Sequence, residues 1–168
     1  IDMLLKVVPS AKTVGIFYNS SEVNSEVQAD QAKQVLEAKG VKVEVATVTS
    51  TNDVQQTMTS LAAKVDAIYL PTDNTVASTA STIGEILQEA KVPAMGSDAA
   101  VIDATLFTYG VDYHAIGVQA GELAVKILKG DKPADLPVEK PNTAAVTVNE
   151  EMATALGFDA ETIKALEK

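Results

Sequence analysis

The chain has 168 residues, of which 46% are hydrophobic, enough apolar material to build one substantial core. Its formal net charge of −10 at pH 7 would repel a phosphate backbone, which argues against nucleic acid as a partner. All thirteen cationic side chains are lysine and cysteine is absent, which excludes a guanidinium clamp, a disulfide framework and a thiolate nucleophile.

Few residues suit metal binding or a membrane. The only histidine, His114, leaves no multi-histidine metal cluster and little scope for histidine-based catalysis. No stretch approaches the roughly 20 consecutive apolar residues of a membrane-spanning helix, and no signal peptide is recognisable. Because the sequence opens on Ile1 with a helix-like segment already under way, we expect it to be part of a longer protein.

The first part of the chain predicts a strand followed by a helix. Residues 13–18 (TVGIFY) form an apolar, β-rich run that is typical of a strand buried on both faces. Residues 19–40 follow as a helix that Ser20 or Ser21 can cap and that Gly40 ends. The apolar stripe predicted for this helix consists of Val23, Val27, Val35 and Leu36.

Strands and helices continue to alternate up to residue 111. Apolar runs predict four further strands, at 41–48, 67–70, 92–96 and 104–111. The helices predicted between them carry regularly spaced apolar residues, namely Val54, Met58, Leu61 and Val65 in the first and Val76, Ala80, Ile83 and Leu87 in the second. This alternation predicts a three-layer αβα fold, in which helices cover both faces of a parallel sheet.

The pattern changes after Tyr113. Residues 114–130 predict one long helix, and residues 131–142 are rich in proline and charge, which is typical of an extended connector. The long helix carries its apolar residues in register at Ile116, Ala120, Leu123 and Ile127. Residues 143–148 predict a last strand, which two short terminal helices follow.

Polar side chains gather where the predicted strands end. In a parallel α/β sheet, ligands bind beyond the carboxyl ends of the strands, where loops and helix N-termini converge. We therefore expect one ligand-binding rim that contains Asn19, Ser20, Ser21 and Asn24, then Thr72, Asp73 and Asn74, then Ser97 and Asp98, and finally Asp112 and Tyr113.

The chemistry of this rim suits a zwitterion. Backbone N–H groups at helix starts suit a ligand carboxylate, whereas Asp73, Asp98 or Asp112 suits an ammonium or a hydroxyl. The serine, threonine and aspartate side chains also fit helix caps, and Tyr113 fits packing as well as stacking on a ligand. Recurrence of the same polar chemistry at four strand ends favours the binding rim.

Enzymatic catalysis has no recognisable basis in the sequence. It contains no Walker A loop, no glycine-rich dinucleotide fingerprint after a strand and no nucleophile elbow. The aspartates of the rim lie on different strands without an adjacent acidic pair, which does not match a divalent-cation cluster. We therefore predict a protein that is not an enzyme and that needs no cofactor or metal.

Five stretches carry a resemblance to a known family. They are residues 4–25, 68–83, 92–101, 109–121 and 124–139. Together they resemble the C-terminal part of bacterial ABC-transporter substrate-binding proteins of the periplasmic-binding type I fold. The resemblance extends to the subgroup that includes tryptophan- and tyrosine-binding lipoproteins.

The resemblance implies a division of the chain between two lobes. Residues 1–111 would form most of the second α/β lobe, and residues 112–142 would be a helix and hinge segment of the first lobe. Residues 143–168 would return as a strand and tail helices on the second lobe. The rest of the first lobe is then missing, and either that lobe or a swapped copy of the same chain would complete the cleft.

The resemblance also implies a function in transport. The protein would capture a small molecule, an amino acid and preferentially an aromatic one, for an ABC permease and its ATPase. It would work outside the cytoplasm, as a periplasmic protein or as a lipoprotein on the cell surface. The alternatives are an effector-binding domain of a transcriptional regulator or signalling receptor with the same fold, and an enzyme with a flavodoxin-like fold.

Overall fold

The computed structural model describes residues 1–141 and 144–167 of the chain. The strands are β1 (Thr13–Asn19), β2 (Lys42–Val48), β3 (Ala67–Leu70), β4 (Ala94–Gly96), β5 (Phe107–Val111) and β6 (Ala144–Val148). The α-helices are α1 (Asp2–Val7), α2 (Val23–Ala38), α3 (Val54–Ala62), α4 (Asn74–Ser78), α5 (Ala80–Ala90), α6 (Tyr113–Leu128), α7 (Glu150–Leu156) and α8 (Ala160–Lys164). A 3-10 segment, Ala99–Ala104, connects β4 to β5.

The strands form one sheet with the order β2-β1-β3-β4-β5-β6. The first five strands are parallel, as predicted, whereas β6 pairs antiparallel with β5. Since Val111 at the end of β5 pairs with Ala144 at the start of β6, the chain leaves and re-enters the sheet at the same edge. The predicted boundary between residues 142 and 143 lies outside the described residues.

Helices cover both faces of the sheet, so the three-layer prediction is confirmed. On one face, α3, α4, α5 and the 3-10 segment enclose a core that includes Phe17, Met58 and Ile83. On the other face, α1, α2, α7 and α8 enclose a second core that includes Leu36 and Phe107. The apolar positions predicted for α3 and for α4 with α5 are buried in the first core.

The stripe predicted for α2 is confirmed at Leu36 but is wrong at Val23, Val27 and Val35. The buried residues of this helix are Ser25, Ala29, Ala32 and Leu36, whereas Val23 and Val27 are 72% and 50% exposed. Three of these four buried residues have small side chains, which allow a helix to pack closely against a sheet. The predicted serine cap is also wrong, because Glu22 occupies the N-cap position without a side-chain cap hydrogen bond. Gly40 does follow the helix end, with a φ of 76°.

Close contact between α5 and the 3-10 segment depends on Gly84. A Cβ atom at this position would lie 2.1 Å from the carbonyl oxygen of Asp103. We expect Gly84→Ala to lower the free energy of unfolding by about 1–3 kcal/mol, because the backbone contact must be forced apart. Urea denaturation measures this loss.

Gly117→Ala is the matched control for this prediction. Gly117 lies in α6, where an added Cβ would meet nothing within 4 Å. The intrinsic preference of helices for alanine over glycine then acts alone, and we expect unchanged or slightly higher stability. Equal stability of the two variants would show that close packing at Gly84 is unimportant.

Helix α6 differs from the other long helices because none of its residues is buried. Val118, Val125 and Leu128 are 50%, 47% and 86% exposed. Its side chains contact the following connector, where Gln119 Nε2 lies 2.6 Å from an oxygen of Glu139. Within residues 1–141 and 144–167, no helix combines the length and apolar character that crossing a bilayer requires.

Candidate ligand-binding rim

The candidate rim lies at the carboxyl edge of the sheet, where β1, β3, β4 and β5 end side by side. Asn19 is the last residue of β1, and Thr72 and Asp73 lie between β3 and α4. Ser97 and Asp98 follow β4, whose last residue pairs with the last residue of β3. The remaining rim residues form hydrogen bonds with these residues, with the Glu22 side chain or with nearby backbone; they are Ser20, Ser21, Asn24, Asn74, Asp112 and Tyr113.

Asp73 connects β1 to the start of α4. Its carboxylate is 3% exposed and accepts the N–H of Asn19 at 2.8 Å and the N–H of Val76 at 2.9 Å. The Asn19 side chain donates to Thr75 Oγ1 at 2.8 Å and accepts the Ser21 N–H at 2.8 Å. Asp73 therefore acts as a helix cap and a cross-link, the structural role that the sequence also allowed.

The backbone N–H groups at the start of α4 are bound by Glu22, a side chain that the sequence analysis did not include in the rim. The Glu22 carboxylate accepts the N–H of Asn74 at 3.0 Å, the N–H of Thr75 at 3.3 Å and the Asn74 amide group at 3.0 Å. These backbone donors therefore already have an anionic partner. Because Glu22 and Asn74 are 52 residues apart, no local pattern could have revealed the contact.

A second group of contacts surrounds Thr72. Its hydroxyl lies 3.2 Å from Ser97 Oγ, and its N–H donates to Gln28 Oε1 at 3.0 Å. Its carbonyl oxygen accepts hydrogen bonds from Asn24 Nδ2 and Ser25 Oγ, each at 2.9 Å. The sequence prediction included Asn24 but missed Gln28 and Ser25, which reach the rim from the buried side of α2.

Asp98 and Tyr113 form the third group. The Tyr113 hydroxyl donates to Asp98 Oδ2 at 2.6 Å, and the other oxygen of Asp98 accepts the Ala100 N–H at 2.9 Å. This hydrogen bond to a carboxylate, together with burial and the nearby charge, raises the pKa of Tyr113 above its ordinary value. Gly110 permits the close packing here, because a Cβ atom would lie 2.6 Å from the Ser97 carbonyl oxygen.

The outer rim residues are more accessible. Ser20 and Ser21 are exposed, and Ser20 Oγ lies 3.4 Å from the Val48 carbonyl oxygen. Asp112 is exposed and caps α6 by accepting the N–H groups of His114 at 2.8 Å and Ala115 at 3.1 Å. The Tyr113 ring remains 57% exposed although its hydroxyl is bound.

The rim is anionic. Among the described residues, no lysine forms an ion pair with Glu22, Asp73, Asp98 or Asp112. Asp98 is 8% exposed, so a largely buried carboxylate lies at this edge with two hydrogen bonds and, within residues 1–141 and 144–167, no cationic partner. In the part of the chain that the structure describes, no group of three or more histidine or carboxylate side chains has the arrangement of a metal site. Burial of a carboxylate costs less free energy when a cation pairs with it.

The chain is similar to known proteins over nearly its whole length. The chain is 32% identical to the tyrosine-binding protein of Clostridioides difficile over 157 residues, which are 93% of this chain and 46% of that protein. It is 37% identical to an ABC domain from Streptococcus pneumoniae solved in complex with L-Trp, with a TM-score of 0.85 over 96% of this chain and 56% of that one.

A ligand-free, open structure is also similar. It is a substrate binding protein with adhesive properties from Clostridium difficile, with 38% identity and a TM-score of 0.78 over 94% of this chain and 54% of that chain. The chain thus spans about half the length of these relatives. The sequence model of the family described as ABC transporter substrate binding protein matches residues 1–164. With its periplasmic-binding type I architecture, the chain belongs to the ABC transporter substrate-binding protein family.

Proposed function

We propose that this chain supplies one wall of the ligand cleft in the solute-binding component of an ABC importer. The solute is an amino acid, and an aromatic one is favoured because similar proteins are named for tyrosine or were solved with L-Trp. The single observation that carries the choice of an amine-bearing ligand is the buried Asp98 carboxylate, which has no cationic partner among the residues that the structure describes.

In this proposal, Asp98 accepts a hydrogen bond from the ligand ammonium, and Tyr113 lies against the ligand side chain. Each carboxylate oxygen of Asp98 has a second lone pair beyond the hydrogen bond it accepts, so an ammonium can bind without displacing the cap. The half-exposed Tyr113 ring offers an apolar face for stacking. The other predicted contacts, Asn19, Ser20, Ser21, Thr72, Asp73, Asn74, Ser97 and Asp112, shape the wall around these two groups.

The second wall of the cleft would come from the rest of a longer protein. Helix α6 and the connector leave the sheet at the rim and return to it at the same edge. No residue of α6 is buried, so its apolar side chains are available to pack on another lobe. The complete protein would bind its solute by closing two lobes around it, without chemical change, outside the cytoplasm. It would then deliver the solute to a permease and its ATPase, and a lipid anchor could hold it at the membrane.

Thermal-shift and calorimetric titrations of the full-length protein with the twenty amino acids and common sugars test this function. We expect one aromatic amino acid to raise the melting temperature and to be recovered unchanged after incubation. The analogue of that amino acid without its amino group should bind at least about tenfold more weakly, because the charged hydrogen bond to Asp98 is lost. A protein stabilised by a sugar and by no amino acid, or one that consumes its ligand, would contradict the proposal.

The exposed face of α6 gives a separate prediction. We expect residues 1–168 alone to self-associate, because Val118 and Val125 lie on one face of an unpacked helix. Val118→Lys with Val125→Lys should restore the monomer, as measured by light scattering during size-exclusion chromatography. Val23→Lys is the control, since Val23 is also exposed but lies on α2. A monomeric wild-type fragment would contradict the prediction.

A further inference from the structure

Side chains of helix α2 form hydrogen bonds with both the N–H and the carbonyl oxygen of Thr72. Gln28 accepts the Thr72 N–H at 3.0 Å, whereas Asn24 and Ser25 each donate to the Thr72 carbonyl oxygen at 2.9 Å. Pro71, which has no N–H, precedes this residue. These contacts fix the backbone of Thr72. The Thr72 side chain is then limited to the few rotamers that this backbone allows.

The hydrogen bonds identify which end of the Gln28 amide faces the rim. A backbone N–H can only donate, so the Gln28 atom next to Thr72 must be the oxygen rather than the amide nitrogen. The same oxygen lies 3.1 Å from Ser97 Oγ. Because an amide oxygen can only accept, Ser97 is the donor in this contact.

This arrangement favours one direction for the hydrogen bond between the Thr72 and Ser97 hydroxyls. Ser97 Oγ also lies 3.4 Å from the carbonyl oxygen of Leu70, which is another pure acceptor. When the single proton of Ser97 serves one of these two acceptors, Ser97 accepts in its 3.2 Å contact with Thr72. The proton of the Thr72 hydroxyl then points at Ser97, and the lone pairs of Thr72 remain for another partner.

We propose that Gln28 is a positioning residue that keeps the Thr72 hydroxyl as a hydrogen-bond acceptor, so that this wall selects ligands with an N–H donor. The inference rests on the proposed function and deepens it, because it adds a neutral acceptor beside the acidic one. Asp98 directly follows Ser97, so the acceptor and the buried carboxylate lie at neighbouring strand ends. An ammonium carries three N–H donors, one of which would serve the Thr72 hydroxyl.

The test compares L-tryptophan with indole-3-propionate, the same molecule without the amino group, on the full-length protein by calorimetry. If L-tryptophan does not bind, L-tyrosine and its analogue without the amino group are used. We expect Gln28→Met to weaken amino acid binding by about tenfold and to leave the analogue within about twofold, because only the amine needs the oriented acceptor. Gln28→Glu keeps both acceptor contacts and should retain the preference for the amine.

Two further variants complete the test: one replaces Gln28→Met if that variant does not fold, and the other is a control. Thr72→Val keeps the N–H that Gln28 binds but removes the hydroxyl. It should lose affinity for the amino acid but not for the analogue without the amino group, as Gln28→Met does. Gln34→Met is the matched control, because Gln34 is an exposed glutamine of the same helix, and it should bind both ligands as the wild type does.

The outcomes separate this inference from the proposed function. If Gln28→Met binds both ligands as the wild type does, or loses affinity for both equally, Gln28 does not orient an acceptor for the amine. The inference is then overturned while the amino acid receptor stands. If the wild type shows no preference for the amino acid over its analogue, both the inference and the proposed amine site are wrong.

Discussion

Asp98→Ala in the full-length protein is expected to weaken amino acid binding by about 1.5–3 kcal/mol, the range for a hydrogen bond to a charged group. Asp98 is 8% exposed, and within the described residues it has hydrogen-bond donors but no cation as partners. Removal of its carboxylate leaves the ligand ammonium without the charge that the proposal assigns to it. Calorimetry with the ligand found in the screen measures the change.

Two variants separate the charge of Asp98 from its structural contacts. Asp98→Asn keeps an oxygen for the Ala100 N–H, so it should retain stability but lose most of the affinity that Asp98→Ala loses. Tyr113→Phe keeps the ring and removes only the hydroxyl that donates to Asp98, so it should lose much less affinity. Unchanged affinity in Asp98→Ala would show that Asp98 caps the 3-10 segment and does not bind the ligand.

Asp73→Ala is expected to lower the free energy of unfolding by about 2–4 kcal/mol. The substitution removes a helix cap, typically worth about 1 kcal/mol, and leaves the buried Asn19 N–H without an acceptor, which costs about 1–3 kcal/mol. Asp73 is 3% exposed and joins β1 to α4 through contacts of 2.8 and 2.9 Å. Urea denaturation of the wild type and the variant measures the loss.

Asp112→Ala provides the comparison for Asp73→Ala. Asp112 also caps a helix through two backbone N–H groups, but it is exposed, so water can replace its contacts and the loss of stability should be smaller. Asp73→Asn, which keeps one acceptor oxygen, should fall between the wild type and Asp73→Ala. If Asp73→Ala loses ligand affinity at unchanged stability, Asp73 contacts the ligand and its description as a cross-link is wrong.

Asp73 and Asp98 are both helix caps, but their second carboxylate oxygens have different partners. Both residues accept a backbone N–H at the start of a helical segment. The second oxygen of Asp73 is bound by the backbone of β1, whereas the second oxygen of Asp98 is bound by a side chain that can rotate away. This difference makes Asp98 the better candidate for a ligand contact.

The sequence by itself determined the layers of the fold and the location of the rim. Apolar runs and helical periodicity depend on neighbouring residues, so they identified the buried strands, the buried faces of α3 to α5 and the strand ends where polar residues gather. Residues such as Thr72, Ser97 and Asp98 could be assigned to one edge because parallel strands end on the same side.

Only the tertiary structure decided which polar groups meet. Glu22 reaches Asn74 over 52 positions, Gln28 reaches Thr72 over 44, and neither contact has a local signature. The buried face of α2 and the antiparallel direction of β6 were likewise decided by packing against distant segments. Hydrogen bonds between strand ends depend on distance in space, which periodicity along the chain does not record, so the partners of each rim residue required the fold.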